Sequence, residues 1–95
     1  KYGRLLEGNL LRLNWSGISE KKVRFGVLVS TRVAKKATQR NFYKRRLRAA
    51  AQHLLAGAKP GFGVVISLKK VPRPPKTYHN LAQELGELMS KANIL

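Results

Sequence analysis

Ser30-Thr31-Arg32-Val33-Ala34-Lys35-Lys36-Ala37-Thr38-Gln39-Arg40-Asn41-Phe42-Tyr43-Lys44-Arg45-Arg46-Leu47-Arg48 holds eight lysines and arginines and no acid. In its second half Arg40, Asn41, Lys44, Arg45 and Arg48 recur at intervals of three and four, the spacing that gathers side chains on one side of an α-helix. At 100° per residue these five span about 140° of the helical wheel, and Tyr43, Leu47, Ala50, Ala51 and Leu54 fill an adjoining sector of about 100°. One stripe is suited to an apolar neighbour and the other to a polyanion. The pattern predicts a helix with Thr38 as N-cap, ending near residue 56, with Gly57 in the left-handed position beyond it.

The flanks decide what this helix connects. Upstream, Val23, Phe25, Val27 and Val29 alternate with other residues up to Ser30, as in a strand with one buried face. Downstream, Phe62 to Leu68 is an apolar run rich in Val and Ile, long enough only for a buried strand. Strand, helix, strand implies a parallel pair joined by a crossover. Further out, Leu11, Leu13 and Trp15 share one face of a strand from Leu10 to Trp15, with Leu10, Arg12 and Asn14 on the other. The polar turn from Ser16 to Lys22 then reads as closing an antiparallel hairpin with the strand at residues 23 to 30.

Residues 1 to 9, broken by Gly3, Gly8 and Asn9, read as a loop, and Lys59-Pro60-Gly61 as a turn. Pro72, Pro74 and Pro75 make residues 69 to 76 a basic connection without helix or ladder bonds. A second helix starts near Thr77 and carries Tyr78, Leu81, Leu85, Leu88 and Met89 on one face. The expected architecture is a single α/β domain over residues 1 to 95. It is an α+β sandwich in which strand, strand, helix, strand, helix build a small mixed sheet covered on at least one face.

At 95 residues and 43% hydrophobic content the chain can bury one modest core. Its net charge of +16 and pI near 11.3 oppose compaction unless a polyanion neutralises them. The only acids are Glu7, Glu20, Glu84 and Glu87, so Lys21 to Gln83 is acid-free and contains 16 of the 20 Lys and Arg. Nucleic acid is the implied partner and the cytoplasm the implied compartment. A membrane surface is not, because the apolar stripe of the basic helix is mainly Ala and Leu rather than Trp and Phe. No run reaches the ~18 apolar residues of a membrane span, and no signal-peptide pattern is present. The absence of cysteine excludes disulfides and cysteine-ligated zinc.

Catalytic constellations are lacking. Glu84 and Glu87 form one i, i+3 pair that reads as solubility charge, His53 and His79 are isolated, and no Ser has a base at a recognisable spacing. The sequence therefore points to no catalytic residue, no metal or cofactor held by the protein, and no small-molecule substrate. A merely solvated basic face would leave Arg40, Lys44 and Arg48 repelling one another at i, i+4 with no Glu between them. Trp15, Phe25 and Phe62 lie on apolar runs and read as core, whereas Phe42 falls about 200° round the wheel, off the apolar stripe and beside Arg45.

Arg40-Asn41-Phe42-Tyr43-Lys44-Arg45-Arg46-Leu47-Arg48 resembles the signature helix of the bacterial ribonuclease P protein component, whose pattern is Arg-Asn-Arg, one residue, Lys-Arg, two residues, Arg. Arg24 to Ser30 looks like that family's second strand, and Lys59-Pro60-Gly61-Phe62 and Thr77-Tyr78 keep its order and spacing. Phe42 departs from the third signature residue, and Ala34 stands where the family often has Gly. The resemblance implies a protein subunit of a tRNA-processing endoribonuclease whose crossover is left-handed, against the general rule. It also implies that the family's first helix, absent from this chain, precedes Lys1.

By that resemblance the catalytic RNA performs magnesium-dependent hydrolysis of precursor tRNA and the protein assists. RNA contacts are expected from Ser30, Thr31, Arg32, Lys35, Lys36, Arg40, Asn41, Lys44, Arg45 and Arg48. Arg12 and Asn14, with Lys44 closing the same cleft, are expected at the 5′ leader. A small basic ribosomal or other structural RNA-binding protein is the alternative outside catalysis, and an autonomous nuclease the alternative within it.

Overall fold

The most apolar strand takes the centre of the sheet. The computed structural model describes residues 3–71 and 77–94. It runs β1 (Arg4–Glu7), β2 (Leu11–Gly17), β3 (Val23–Leu28), α1 (Ala37–Leu55), β4 (Phe62–Leu68) and α2 (Thr77–Lys91). The sheet order is β1-β2-β4-β3. β2 pairs antiparallel with β1 and with β4, and β3 pairs parallel with β4. The mixed sheet and the β3–α1–β4 crossover between parallel neighbours are as the sequence predicts.

The hairpin between β2 and β3 does not form, because β4 lies between them. Its Val64, Ile66 and Leu68 are almost wholly buried, and the place between β2 and β3 pairs both of its edges, while β3, which carries Arg24, takes the edge of the sheet. Residues 18–22 pass round the start of β4 and are pinned there. Ile18 N donates to Gly61 O at 2.9 Å, and Gly61 N donates to Lys22 O at 3.0 Å. Gly61 holds φ at +92°, a conformation that other L-residues rarely adopt.

Alternation along the strands divides the sheet into two unlike faces. Leu11, Leu13 and Trp15 pair across to Leu68, Ile66 and Val64 and face both helices, where Tyr43, Leu47, Leu81 and Leu85 complete the core. The opposite face carries the cross-strand rows Glu7, Arg12, Ser67, Leu28 and Leu5, Asn14, Val65, Gly26. Leu5, Leu28 and Val65 are exposed on it.

Several local expectations are corrected. Residues 4–7 form a short edge strand rather than a loop; its turn closes with Gly8 N donating to Leu11 O at 2.8 Å. α1 starts at Ala37, and its N-cap is Lys36, which makes no side-chain cap bond, so Thr38 lies inside the helix. Gly57 is not left-handed. Ala56 stays right-handed, and Gly57 and Ala58 donate to Leu54 and Leu55 in a tightened last turn that satisfies those carbonyls without a left-handed residue. Trp15 is buried as expected, and Phe25 and Phe62, though half-buried, pack against the core as expected. The side chain expected of Tyr78 lies outside the described residues.

Glu84 is structural rather than a solubility charge. Its Oε2 accepts from Leu10 N at 2.8 Å and Leu11 N at 2.7 Å, which fastens α2 to the start of β2. The carboxylate reaches those amides by passing over Gly8, where an added Cβ would lie 2.4 Å from Glu84 Oε2. Removing the carboxylate strands two partly buried amides at about 1–3 kcal/mol. Glu84→Ala is therefore expected to lower the melting temperature, and Gly8→Ala to do so only while Glu84 is present. Urea unfolding of both single variants and the double variant checks this: the two losses should be clearly less than additive.

Candidate nucleic-acid interface

The crossover fixes where the cations of α1 can go. Tyr43, Leu47, Ala50, Ala51 and Leu55 are buried, Leu54 is half-buried, and the helix is thereby held with its Arg45 side outward. Asn41, Arg45 and Arg48 are exposed, and Lys44, beside the buried stripe, is partly buried. Ser30, Thr31, Arg32, Lys35 and Lys36 are exposed on the loop that feeds the helix. The first turn of α1 contains no acid, so its unpaired amide groups add to the positive potential of Lys35 and Lys36.

The loop is built rather than slack. Ser30 O accepts from Val33 N at 3.2 Å and Ala34 N at 3.0 Å, and Ala34 is 1% exposed, a core residue inside a segment that composition alone assigns to solvent. Arg40 Nη1 then donates to Ala34 O at 3.0 Å and Lys35 O at 2.9 Å. Arg40 thus braces the loop against the helix, a role that its place in the cation row does not reveal. Those two bonds use Nη1 alone of the guanidinium fork.

All four ion pairs among the described residues are made by Glu7 and Glu20. Glu20 pairs with Arg24 and lies 3.7 Å from Lys22. Its hydrogen bond with Arg24 holds the carboxyl below the usual carboxylate range and raises the guanidinium. Glu7 accepts from Lys69 Nζ at 2.9 Å and Arg12 Nε at 3.2 Å, and the Lys69 bond, then the Arg12 charge, lower its pKa. These pairs are exposed and add little to stability. Their consequence is spatial: none reaches residues 30–45 or Arg48, whose cations have no carboxylate partner among the described residues.

A second cationic group lies on the open face of the sheet. Arg12, Ser30, Arg32, Ser67 and Lys69 line a pocket of about 370 Å³ with Leu28, Val33 and Leu68, at the carboxyl ends of the parallel strands β3 and β4. Sequence alternation places Arg12 and Asn14 on this face. It does not find Ser67, which comes beside Arg12 only through the β2–β4 register.

Lys44 does not close the cleft with Arg12 and Asn14. It belongs to the helix on the core side of the sheet, and Arg12 points away from that side. Of the extensions to the basic surface that composition suggests, Lys69 joins through this pocket. Lys70 turns instead toward Asn9, Asn80, Gln83, Glu84 and Glu87. Arg73 lies outside the described residues.

Fold and surface together define a small basic α+β domain, with a cation-rich helix crossing between parallel strands. Comparison with known proteins narrows this. The family model described as Ribonuclease P matches residues 1–93. A ribonuclease P protein component of Synechocystis sp. is 44% identical over 73 residues, covering 76% of this chain and 57% of that protein. One from Synechococcus elongatus is 32% identical over 97 residues, covering 98% of this chain and 80% of that protein. The RNase P protein of Staphylococcus aureus superposes with a TM-score of 0.83 at 15% identity, covering 97% of this chain and 83% of that one. That of Thermotoga maritima gives 0.78 at 20% identity, covering 94% and 83%. This chain belongs to the ribonuclease P protein family. It spans 57% and 61% of the length of the Synechocystis and Pseudanabaena relatives it matches.

Arg40 and its neighbours on α1 should separate in a stability experiment. Arg40→Ala removes two charge-assisted bonds to loop carbonyls and is expected to cost about 1–3 kcal/mol. Arg45→Ala and Arg48→Ala, exposed and unpartnered among the described residues, should stay within about 0.5 kcal/mol of the parent. Thermal melts of the three variants check the ordering.

Proposed function

We propose that this chain is the protein subunit of a cytoplasmic ribonuclease P, binding the catalytic RNA and the 5′ leader of precursor tRNA while the RNA removes the leader. The observation that carries this reading is the cation row of residues 30–45 and Arg48, which has no carboxylate partner among the described residues, in a chain of this family. Arg40, Arg45 and Arg48 offer planar forks to phosphate, Lys35, Lys36 and Lys44 offer point charges, and Asn41, Ser30 and Thr31 offer neutral donors to phosphate and sugar oxygens. These groups dock the catalytic RNA and set its orientation.

The open-face pocket is assigned to the leader. Arg12, Arg32 and Lys69 supply charge, Ser30 and Ser67 supply hydroxyls, and Asn14 lies in the next row of the sheet. Lys44 goes with the catalytic-RNA surface instead. In this reading magnesium and the hydrolytic step belong to the RNA. The carboxylates of Glu7, Glu20 and Glu84 are engaged by cations or backbone amides, and no three His, Asp or Glu side chains converge among the described residues. The protein's part is to hold the leader and to screen repulsion between two RNAs. No described helix is long and apolar enough to cross a membrane.

Affinity for the ribonuclease P RNA of the same organism should fall steeply with salt. Five to eight neutralised phosphates would give a log-log slope of roughly −4.5 to −7 on the duplex-DNA scale. Arg45→Ala should make that slope shallower by about one, and Lys91→Ala, on α2, should not. A wild-type slope near zero would refute polyanion docking. Equal preference for ribosomal RNA would move the chain to the structural class.

The leader assignment has its own readout. Arg12→Ala should weaken binding of precursor tRNA to the assembled ribonucleoprotein several-fold and spare mature tRNA. Lys44→Ala should instead weaken assembly with the catalytic RNA. Equal loss of precursor and mature tRNA on Arg12→Ala would place Arg12 away from the leader.

A further inference from the structure

Phe42 stands among the cations of α1 and remains 40% exposed. A single exposed apolar side chain needs no explanation by itself. This one is held in a defined posture. The Arg46 guanidinium carbon lies 4.5 Å from the centre of its ring. Tyr43, itself buried, meets it edge to face at 5.2 Å between centroids and 87° between planes. Arg45, three residues on, is its neighbour on the helix surface. The result is a fixed, partly exposed aromatic ring bordering a phosphate-binding row.

We infer that Phe42, backed by Arg46, is a stacking site for one unpaired nucleobase of the RNA that docks on α1. The inference rests on the proposed RNA-binding role and adds to it a contact that is not electrostatic. Charge complementarity supplies the occupant. A phosphate on Arg45 brings its own nucleotide's base to the neighbouring position, and every base has a π-face that an aromatic ring or a guanidinium plane can meet. The ring offers nothing to a phosphate. At this position the helix gains base contact where another arginine would give one more charge contact. Because Tyr43 and Arg46 already fix the ring, little side-chain freedom is lost on binding.

The test is a salt titration of binding to full-length ribonuclease P RNA of the same organism, with wild type, Phe42→Leu, Phe42→Trp and Arg45→Ala compared. Phe42→Leu keeps apolar bulk and removes the π-face. It should weaken binding about tenfold at every salt concentration and leave the slope unchanged, whereas Arg45→Ala changes the slope. Phe42→Trp should hold wild-type affinity. Its fluorescence should be quenched on RNA binding more than that of the wild-type chain, whose only tryptophan is the buried Trp15. Melting temperatures of all variants separate binding from folding. Salt-dependent wild-type binding with Phe42→Leu within twofold of it would overturn the stacking site alone. Absence of salt-dependent wild-type binding would overturn the RNA-docking reading and the stacking site together.

Discussion

Pairing of β4 on both of its edges is the constraint on which the remaining structure depends. β4 is parallel to β3, so the chain must return to the far end of the sheet between them, and α1 is that return. The helix is consequently fixed at both ends and along its buried stripe, and the direction of its cation row follows from the burial of Tyr43, Leu47 and Ala51. Antiparallel pairing with β2 on the other edge completes the sheet and turns Arg12 away from the helices. One strand position therefore sets the orientation of both cationic surfaces.

The few acids are placed so that this arrangement survives a net charge of +16. Glu20 holds Arg24 beside the loop that rounds β4, Glu7 holds Arg12 and Lys69 at the sheet end, and Glu84 fastens α2 to β2. Among the described residues none of these carboxylates pairs with a cation of residues 30–45 or with Arg48, so the repulsion among those cations is unrelieved until an anion binds. Glu7 has a second consequence. Sitting between Arg12 and Lys69, it holds two cations of the open-face pocket in position while offsetting part of their charge, so that pocket is less positive than the surface of α1.

Local periodicity carried most of what the sequence made legible. The bounds of β4, the presence and apolar stripes of both helices, and the parallel crossover all follow from runs and spacings within single segments. What escaped depends on contacts between segments. The short strand β1 has only four residues and exposes Leu5, so its existence depends on β2 as a neighbour. The order of strands turned on which one most needs two partners, and adjacency in sequence favoured the wrong pair. Arg40 reads as one more cation on the wheel, and only the path of the loop shows it bonded to Ala34 and Lys35. Glu84 is separated from its amide partners by more than 70 residues, a distance over which spacing carries no information. Lys44 adjoins the apolar stripe of its helix and Arg12 lies on the strand face opposite Leu11, Leu13 and Trp15; the two apolar stripes meet in the core, which leaves the two cations on opposite sides of the sheet.

The loop of residues 30–36 is where the two cationic surfaces meet. Ser30 and Arg32 line the pocket on the open face, while Lys35 and Lys36 stand at the start of α1. A flexible segment here would let the helix surface and the sheet surface take independent orientations. This segment is instead clamped at three points: Ser30 O receives two backbone amides, Ala34 is buried in the core, and Arg40 holds the carbonyls of residues 34 and 35. None of these contacts uses the exposed cations of the loop. The backbone is fixed from the protein side while the charged side chains stay outward, so the angle between the two surfaces is set by the protein itself. In the proposed reading, a rigid connection of this kind lowers the ordering cost of binding two RNA strands at once. It also makes Arg40, the cation of the row most engaged within the protein, the one whose loss would disturb both surfaces together.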